Sequence, residues 1–466
     1  MAMWDKAFKE CDIRGSYPAQ VDGDLAYRLG LAVAASASTP VVVVAGDVRL
    51  STPSLKARLI DGLRDGGAEV VDCGLIPTPV YYFARRILRR EVEPAGVMVT
   101  ASHMPADQNG FKPILGPLPI MPEGLRELSR LVADPPPPKP GGVVRRIDLA
   151  HEYLHWMLDR FGNRPDGPPL RLVLDCGNGS FSDLAPGILD ALGLTFEPLF
   201  CEADGRFPHR SPDVSQPEAL AALASRVRAT GADLGVAFDG DGDRVAFVDD
   251  RGEVLLPDVF IALLARDALE REGPAAVVLD IKLSASVDDI VREAGGTPLR
   301  ERSGHTFMKT RVLAEKAILG GEASGHVFFR ELEGGDDGLF AALAMLDLLA
   351  RAGRPLSQLV ATLPRFFLTK DIRVRFEGDV AGVLRRLEAQ AEADGARIER
   401  LDGVKAHYAD GWALARASVT EPMITLRFEG TTREGLLSAI ERFLAPAPAE
   451  CLDAARTAAD QVASGD

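Results

Sequence analysis

Long apolar runs and clustered cysteines are both missing from this sequence. The longest apolar stretches, such as PVVVVAG, are far shorter than the roughly 20 residues that a membrane-spanning helix needs. The first residues, MAMWDKAFKECDIRG, are interrupted by charges and do not form the apolar segment of a signal peptide. The five cysteines are scattered, odd in number and without CxxC spacing, which is typical of reduced thiols. We therefore expect a cytoplasmic protein that has no membrane partner.

An excess of positive charge is also missing. The formal net charge is −15, which argues against general nucleic-acid binding and requires any anionic ligand to find a local cationic site. The chain has 46% hydrophobic and 26% charged residues, the proportions of a globular protein. At about 150 residues per domain, its 466 residues predict three domains, or four.

A pattern of a short valine-rich run followed by a helix occurs three times. The three stretches are VVVVAGDVRLSTPSLKARL, LRLVLDCGNGSFSDLAPGIL and AAVVLDIKLSASVDDIV. Such alternation predicts βαβ units and mixed, largely parallel sheets covered on both faces. Each stretch has an aspartate just beyond its strand, namely Asp47, Asp175 or Asp280. Ligands of open α/β sheets bind at these strand ends.

The last hundred residues follow a different pattern. FFLTKDIRVRF and ALARASVTEPMITLRFEG alternate like antiparallel strands, with helices expected at 380–393 and 434–443. The proline-rich stretch DPPPPKPGG marks a boundary near residue 142. We predict three similar α/β domains and a C-terminal α+β domain, followed by a loosely held tail. Their limits are 1–142, 143–251, 252–365, 366–450 and, for the tail, 451–466.

Three carboxylates alternate with glycine in the stretch LGVAFDGDGDRVAFVDDRG. Glycine allows Asp239, Asp241 and Asp243 to converge, which is costly unless a hard cation neutralises them. A hairpin turn would explain a single Asp-Gly but not three aspartates in register. An EF-hand does not fit, because Arg244 occupies the position of its turn glycine and strands flank the loop. Three oxygen ligands with open positions suit Mg²⁺.

A serine ends the apolar run in VMVTASHMPADQNGFK. Ser102 alone could be an ordinary polar loop residue. At the carboxyl end of a strand, in a chain with an apparent Mg²⁺ loop, it is also placed to carry a phosphoryl group. A phosphoserine adds about two negative charges and three acceptor oxygens, which would complete the shell of the cation.

Two further loops have side chains that suit a phosphorylated sugar. GGEASGH offers Glu322, Ser324 and His326, a set of donors and acceptors for sugar hydroxyls, although a surface turn is the alternative. RASVTEP offers a guanidinium and two hydroxyls that could surround a phosphate, a weak signal by itself. Further cationic candidates are Arg14, Lys112, Arg244, Lys282 and Lys309.

The stretch HEYLH, from His151 to His155, matches the HExxH pattern of zinc proteases. It lies in a predicted helix with its apolar stripe at Ile147, Ala150, Leu154, Leu158 and Phe161, and both histidines fall on the polar flank of that stripe. No further histidine follows at the expected spacing. We therefore interpret the two histidines as a solvated helix face and not as a zinc site.

Four of these stretches occur in the order and spacing of one enzyme family. They are TASHMPADQNGFK, DGDGDR, GGEASGH and RASVTEP, and FKECDIRG at the start resembles the opening motif of the same family. The sequence resembles the α-D-phosphohexomutases, and within them the bacterial phosphomannomutase/phosphoglucomutase group. The likeness spans residues 8–429.

This resemblance implies a heart-shaped enzyme whose four domains surround a central cleft. Ser102 would carry the transferred phosphoryl group, and its phosphate would join the three aspartates in holding Mg²⁺. His326 is the expected general base or acid, with Lys112 and Arg14 as further catalytic residues. Residues expected to bind the substrate are His103, Arg244, Lys282, His305, Glu322, Ser324, Arg416, Ser418 and Thr420.

The implied reaction interconverts hexose 6-phosphate and hexose 1-phosphate, with mannose or glucose as the sugar. It proceeds through phospho-Ser102 and a hexose 1,6-bisphosphate, which also serves as activator, and we expect a monomer or weak dimer. Cys11, Met104 and Val419 depart from the residues usual in this group. Within the class, a phosphoglucosamine mutase is the alternative. Outside the class, these departures leave a phosphosugar-binding protein without turnover as a second alternative.

Overall fold

The computed structural model describes residues 3–89, 93–139, 141–163, 167, 169–365, 367–417 and 423–463. Four sheets divide this part of the chain into units that we call the first to fourth domains. Single-turn 3₁₀ helices occur at Met3–Ala7, Pro217–Leu220 and Arg330–Leu332. Within the described ranges, no helix is both long enough and apolar enough to cross a membrane.

The first sheet has six strands in the order β1-β5-β4-β2-β3-β6, of which β4, β2, β3 and β6 are mutually parallel. The strands are β1 (Ile13–Ser16), β2 (Val41–Gly46), β3 (Glu69–Leu75), β4 (Ala95–Val99), β5 (Gln108–Ile114) and β6 (Val143–Arg146). The helices are α1 (Gly23–Ser36), α2 (Thr52–Asp65), α3 (Thr78–Leu88) and α4 (Pro122–Ala133). The valine run of β2 lies in the centre of the sheet and is buried, as expected for a strand covered on both faces.

The second sheet is mixed and has the order β10-β9-β7-β8, with only β10 antiparallel. Its strands are β7 (Arg171–Asp175), β8 (Thr195–Leu199), β9 (Leu234–Phe238) and β10 (Val245–Asp249). The helices of this domain are α5 (Ala150–Phe161), α6 (Leu184–Ala191) and α7 (Ala221–Thr230).

The third sheet has the order β12-β11-β13-β14-β15, in which β12, β11 and β13 are parallel. Its strands are β11 (Ala276–Asp280), β12 (Thr297–Glu301), β13 (Leu319–Gly321), β14 (Val327–Phe329) and β15 (Gly335–Asp336). The helices are α8 (Pro257–Glu272), α9 (Ala285–Glu293), α10 (His305–Glu315), α11 (Gly338–Ala352) and α12 (Leu356–Val360).

The fourth sheet is antiparallel, with the order β16-β21-β20-β19-β18 and β17 paired to β21. Its strands are β16 (Phe367–Leu368), β17 (Ile372–Arg375), β18 (Arg397–Glu399), β19 (Val404–Tyr408), β20 (Gly411–Ala417) and β21 (Met423–Gly430). The helices are α13 (Val380–Ala393), α14 (Arg433–Leu444) and α15 (Ala449–Ala463). Three mixed α/β units and one α+β unit confirm the predicted fold class, whereas the exact domain limits stay a prediction.

Two local expectations were wrong. The expected loose tail is the helix α15 over most of its length, because Cys451, Ala455 and Ala459 form a small apolar stripe that is buried against the fourth domain. In α5 the buried face consists of Tyr153, Met157 and Phe161. Leu154 and Leu158 are only partly buried, so the predicted stripe is shifted around the helix axis.

One apolar core joins the second and third domains and also includes side chains of α3. Phe83 of α3 contacts Tyr153 edge to face, and Trp156 stacks on Phe340 with ring centroids 5.8 Å apart. The fourth domain has a core of its own. Its apolar junction with the third domain is small and consists of Ile281, Leu368, Trp412 and Leu414.

A buried lysine crosses this junction. Lys405 of β19 donates a hydrogen bond to the carbonyl of Ile281 at 2.5 Å, and its ammonium lies 4.0 Å from the centroid of the Trp412 ring. Burial, with the nearby charge of Arg300, lowers the pKa of Lys405 to about 7. The folded protein therefore holds this proton less tightly than the unfolded chain does.

Replacing this lysine should change how stability depends on pH. Between pH 7 and 9 the unfolded chain binds the proton and the folded protein releases it, so the Lys405 contribution to stability rises with pH. In denaturant unfolding, the stability of the wild type relative to Lys405→Met should rise by roughly 1 kcal/mol per pH unit in this window. Lys370→Met, at an exposed lysine of the same domain, should show no such trend. A pH-independent difference for Lys405→Met would contradict the lowered pKa.

Candidate functional site

Ser102 lies directly beyond β4 and is buried, with a positive φ of 52° that is uncommon for a residue other than glycine. Its backbone N–H donates to Thr100 Oγ1 at 2.8 Å. Its Oγ donates to Asp239 Oδ2 at 2.7 Å and lies 3.2 Å from His103 Nδ1. The Ser102 hydroxyl, at the positive-φ turn beyond β4, thus contacts the second domain.

A single guanidinium holds this serine loop. Arg49 is fully buried, pairs with Asp47 at 3.0 Å and reaches across to the loop. It donates hydrogen bonds of 2.6–2.9 Å to four backbone carbonyls, those of Ser102, Met104, Pro105 and Gln108. The planar fork of arginine suits this convergent set of acceptors, and lysine would not replace it.

The repeated aspartates at the strand ends have structural contacts. Asp47 orients Arg49, and Asp175 in the same way pairs with Arg210, which donates to the carbonyl of Phe238 just before the aspartate loop. Asp280 accepts hydrogen bonds from Ser303 Oγ and from the backbone N–H of Ala323 in the GGEASGH loop. These aspartates therefore fix the loops that carry the candidate site residues.

Asp239, Asp241 and Asp243 follow β9 and are all buried. Asp239 Oδ1 accepts the backbone N–H groups of Gly242 and Arg244, which closes the loop. Lys112 of β5 donates to Asp241 Oδ2 at 2.8 Å and to Asp243 Oδ2 at 2.6 Å. Ser102 and Lys112 of the first domain therefore both contact the aspartate loop of the second domain.

In the described part of the chain, the three aspartates have one lysine partner, Lys112, so the cluster can accept a further positive charge. Burial, together with Asp241 and Asp243, raises the pKa of Asp239 well above its usual value. Burial lowers the pKa of Lys112, but its two carboxylate partners outweigh this and raise it overall. Among the described residues, Asp241 Oδ1 and Asp243 Oδ1 accept no hydrogen bond although both atoms are buried. Ligand atoms of the three aspartates lie within 4.8 Å of one another, so the cluster can bind a metal ion.

His326 lies against the same cluster, and both of its ring nitrogens have neighbours. Arg244 Nε donates to His326 Nε2 at 3.0 Å, and His326 Nδ1 lies 2.7 Å from Asp336 Oδ2 and 3.6 Å from Asp243 Oδ1. Burial lowers the pKa of His326, but Asp243 and Asp336 outweigh it and raise the pKa to about 9. The N–H of Arg244 requires an unprotonated Nε2, so Arg244 and a proton compete for that atom.

Arg14, His103 and His305 lie close to these groups. Arg14 pairs with Asp12 through Nε at 2.9 Å. Burial and the charge of Arg244 lower the pKa of His103 well below its usual value. Burial and the charge of Lys112 lower the pKa of His305 to about 4, so its imidazole is neutral at neutral pH.

Of the predicted sugar-binding residues, Glu322 is buried and Ser324 is half-buried, and each has a buried polar atom. Among the described residues, Glu322 Oε2 and Ser324 Oγ have no hydrogen-bond partner. Lys282 donates to Asp371 Oδ2 of the fourth domain at 3.0 Å. Arg416 pairs with Asp402 at 3.3 Å within the fourth domain and has no described contact with the aspartate cluster. Ser418 and Thr420 lie outside the described residues.

Sequence reasoning missed several residues that build this site. Thr78 Oγ1 donates to Asp241 Oδ2 at 2.7 Å, and its N–H donates to the Asp241 carbonyl. Asp336 and Arg49 were missed as well. The paired acids in GGDDG, just before a helix, were a usable signal for Asp336. The contacts of Thr78 and Arg49 join distant segments and left no local pattern.

The fold and this site together define a multidomain enzyme with a serine hydroxyl facing a metal-binding carboxylate cluster. Four family models match the chain in succession: phosphoglucomutase/phosphomannomutase α/β/α domains I, II and III at residues 5–134, 151–252 and 256–366, and the C-terminal domain at 372–445. The chain therefore belongs to the phosphoglucomutase/phosphomannomutase family, which confirms the resemblance noted in its sequence.

Individual relatives are similar over nearly the whole chain. A phosphomannomutase/phosphoglucomutase of Pseudomonas aeruginosa is 36% identical over 434 residues, covering 92% of each chain. A phosphoglucomutase of Neisseria gonorrhoeae is 36% identical over 452 residues, covering 94% of this chain and 96% of the relative. The crystal structure of a family protein from Burkholderia thailandensis superimposes with a TM-score of 0.87 at 37% identity, covering 97% and 98% of the two chains.

Proposed function

We propose that the chain interconverts hexose 6-phosphate and hexose 1-phosphate, with mannose or glucose as the sugar, through phospho-Ser102 and a hexose 1,6-bisphosphate. The enzyme class follows from the family: the chain is a hexose-phosphate mutase and therefore an isomerase. The observation that carries the detailed proposal is the 2.7 Å hydrogen bond from Ser102 Oγ to Asp239 within a cluster that has two buried carboxylate oxygens without a hydrogen bond.

The residues that would hold a metal ion are Asp239, Asp241 and Asp243, with a phosphate oxygen on Ser102 as a further ligand. The all-oxygen donor set favours Mg²⁺, which usually shares its shell with phosphate oxygens. When bound, Mg²⁺ supplies positive charge that neutralises the transferring phosphoryl group. Asp241 Oδ1 and Asp243 Oδ1 fit such an ion, because a buried carboxylate oxygen that accepts no hydrogen bond is costly.

Lys112 and Arg14 provide fixed positive charge next to Ser102. Lys112 bridges two aspartates, and Arg14 is held by Asp12, so neither side chain must reorganise when the phosphoryl group moves. Such preorganised charge stabilises a transition state more than mobile charge does. Lys112 and Arg14 therefore balance the charge that the phosphoryl group brings into an acidic cavity.

His326 moves the proton of the attacking sugar hydroxyl. The Asp336 carboxylate lies 2.7 Å from His326 Nδ1, which leaves Nε2 to face the substrate once Arg244 turns away from this atom. Arg244 is then free to bind a phosphate, as expected of a guanidinium fork. The same ring takes a proton in one half-reaction and returns it in the other.

The sugar and its second phosphate are held at a distance from Ser102. Glu322 and Ser324 bind hydroxyls, with His305 and Lys282 at the same wall of the cleft, while Arg416, Ser418 and Thr420 bind the phosphate that is not reacting. Because the bisphosphate must reverse its orientation, both subsites must accept either end of the sugar. The apolar part of the junction between the third and fourth domains is small, which suits a hinge that opens the cleft for this step.

A coupled assay with Mg²⁺ tests the proposal. We expect turnover of mannose 1-phosphate, glucose 1-phosphate or both, dependent on hexose 1,6-bisphosphate, and weaker turnover of glucosamine 1-phosphate. Intact mass after incubation with the bisphosphate should show one phosphoryl group, located at Ser102 by peptide mapping. Preferred turnover of glucosamine 1-phosphate would indicate a phosphoglucosamine mutase. A protein that binds these sugars but never carries phosphate would be a binding protein without turnover.

A further inference from the structure

Two thiols lie side by side in the second domain. Cys176 follows β7 directly, Cys201 lies two residues beyond β8, and these strands are parallel neighbours. Their Sγ atoms are 2.9 Å apart, and both thiols are free. Because sulfurs in a disulfide are about 2.05 Å apart, roughly 1 Å of movement would join them.

The two thiols differ in access. Cys176 is fully buried, whereas Cys201 is partly exposed. Burial raises the pKa of Cys176, and the hydrogen bond between the thiols lowers the pKa of Cys201. A reagent from solvent therefore meets Cys201 first, and Cys176 lies directly behind it as a resolving thiol.

The segment after Cys176 packs on the aspartate loop. Ser180 donates to the carbonyl of Gly240 from its N–H at 3.0 Å and from its Oγ at 3.1 Å. A Cβ on Gly242 would lie 2.4 Å from the ring of Phe181, so this ring lies tightly on the loop. Cys176 Sγ in turn lies 3.8 Å from the Phe181 carbonyl. A shift of the Cys176 sulfur would therefore displace the segment with Ser180 and Phe181 that packs against the aspartate loop.

We propose that Cys176 and Cys201 form a reversible disulfide that lowers mutase activity by shifting the segment packed against the aspartate loop. This regulation rests on the proposed function. The oxidant is a low-molecular-weight disulfide such as oxidised glutathione. The Cys201 thiolate attacks one of its sulfurs and releases one thiol; the Cys176 thiolate then attacks the Cys201 sulfur and releases the second thiol. Two protein thiols lose two electrons, and their two protons end on the two small thiols that leave.

Peptide mapping tests the covalent step without reference to activity. The full chain is incubated with oxidised glutathione, alkylated and digested without reductant. We expect a cross-linked pair of peptides containing Cys176 and Cys201, which dithiothreitol reverses. A persistent glutathione adduct on Cys201 without the cross-link, or no reaction at Cys201, would overturn the proposal. Cys73→Ser should still form the cross-link, because Cys73 lies in the first domain.

Activity and metal binding test the consequence. We expect the oxidised protein to lose at least about fivefold in kcat and to bind Mg²⁺ more weakly by calorimetry, with both restored by dithiothreitol. Cys201→Ser, with Cys201→Ala as a second variant should the first fold poorly, should be insensitive to the oxidant. A complete cross-link with unchanged kcat and Mg²⁺ affinity would overturn the regulatory role. If the reduced protein lacks mutase activity, the proposed function fails, while the mapping and the calorimetry still decide whether this disulfide forms and reaches the aspartate loop.

Discussion

Ser102→Ala should fold normally and lose about 10⁴- to 10⁶-fold in kcat, the range seen when an enzyme loses its nucleophile. The expected loss of activity depends on one atom. Ser102 Oγ is the hydroxyl that contacts the carboxylate cluster, 2.7 Å from Asp239 Oδ2. The substitution removes the Oγ contacts with Asp239 and His103 but leaves the Arg49 contacts of the loop intact, since these go to backbone carbonyls. Its effect on stability should therefore be small.

The measurement is a coupled assay with hexose 1-phosphate, Mg²⁺ and hexose 1,6-bisphosphate, paired with intact mass before and after incubation with the bisphosphate. Ser54→Ala is the matched control, because Ser54 is an exposed serine of α2 in the same domain. It should keep full activity and still accept the phosphoryl group. Equal kcat in Ser102→Ala and Ser54→Ala would remove the proposed role of Ser102.

The parts of the site that the sequence predicted are those carried by short, contiguous patterns. Asp239, Asp241 and Asp243 alternate with glycine within five residues, so their convergence is a local property of the chain. Ser102 likewise ends a recognisable apolar run. The helices α13 and α14 were also predicted closely, because their apolar periodicity is strong.

The parts that sequence reasoning missed depend on contacts between distant segments. Lys112 was singled out as a cation, but its bridge between two aspartates more than a hundred residues away could not be read from the sequence. Arg49 in VRLS resembles an ordinary loop arginine until the fold places four carbonyls around it. The helix α15 was predicted to be a loose tail. Its buried stripe consists of small side chains, and an alanine-rich composition alone does not distinguish such a packed helix from a disordered end.

Asp239→Asn should lower activity and raise the stability of the metal-free protein. In the described contacts, Lys112 donates hydrogen bonds to Asp241 and Asp243. Burial of Asp239, together with these two aspartates, raises the pKa of Asp239 well above its usual value. An amide is uncharged and keeps an oxygen for the N–H groups of Gly242 and Arg244. In EDTA the variant should melt roughly 2–5 °C above the wild type. With Mg²⁺ its kcat should be lower by roughly 10²- to 10³-fold, as when a transition state loses a preorganised charge partner.

Melting curves in EDTA and across a Mg²⁺ titration separate these two effects. Added Mg²⁺ should raise the melting temperature of the wild type in proportion to the logarithm of its concentration above Kd, and the variant should need far more Mg²⁺ for the same rise. Asp190→Asn, at an exposed aspartate of α6 in the same domain, should match the wild type in both conditions. A variant that melts below the wild type in EDTA would show that ionised Asp239 stabilises the metal-free fold. In that case the three carboxylates would not need a cation for their charge, and the physical argument for a metal ion at this loop would fail.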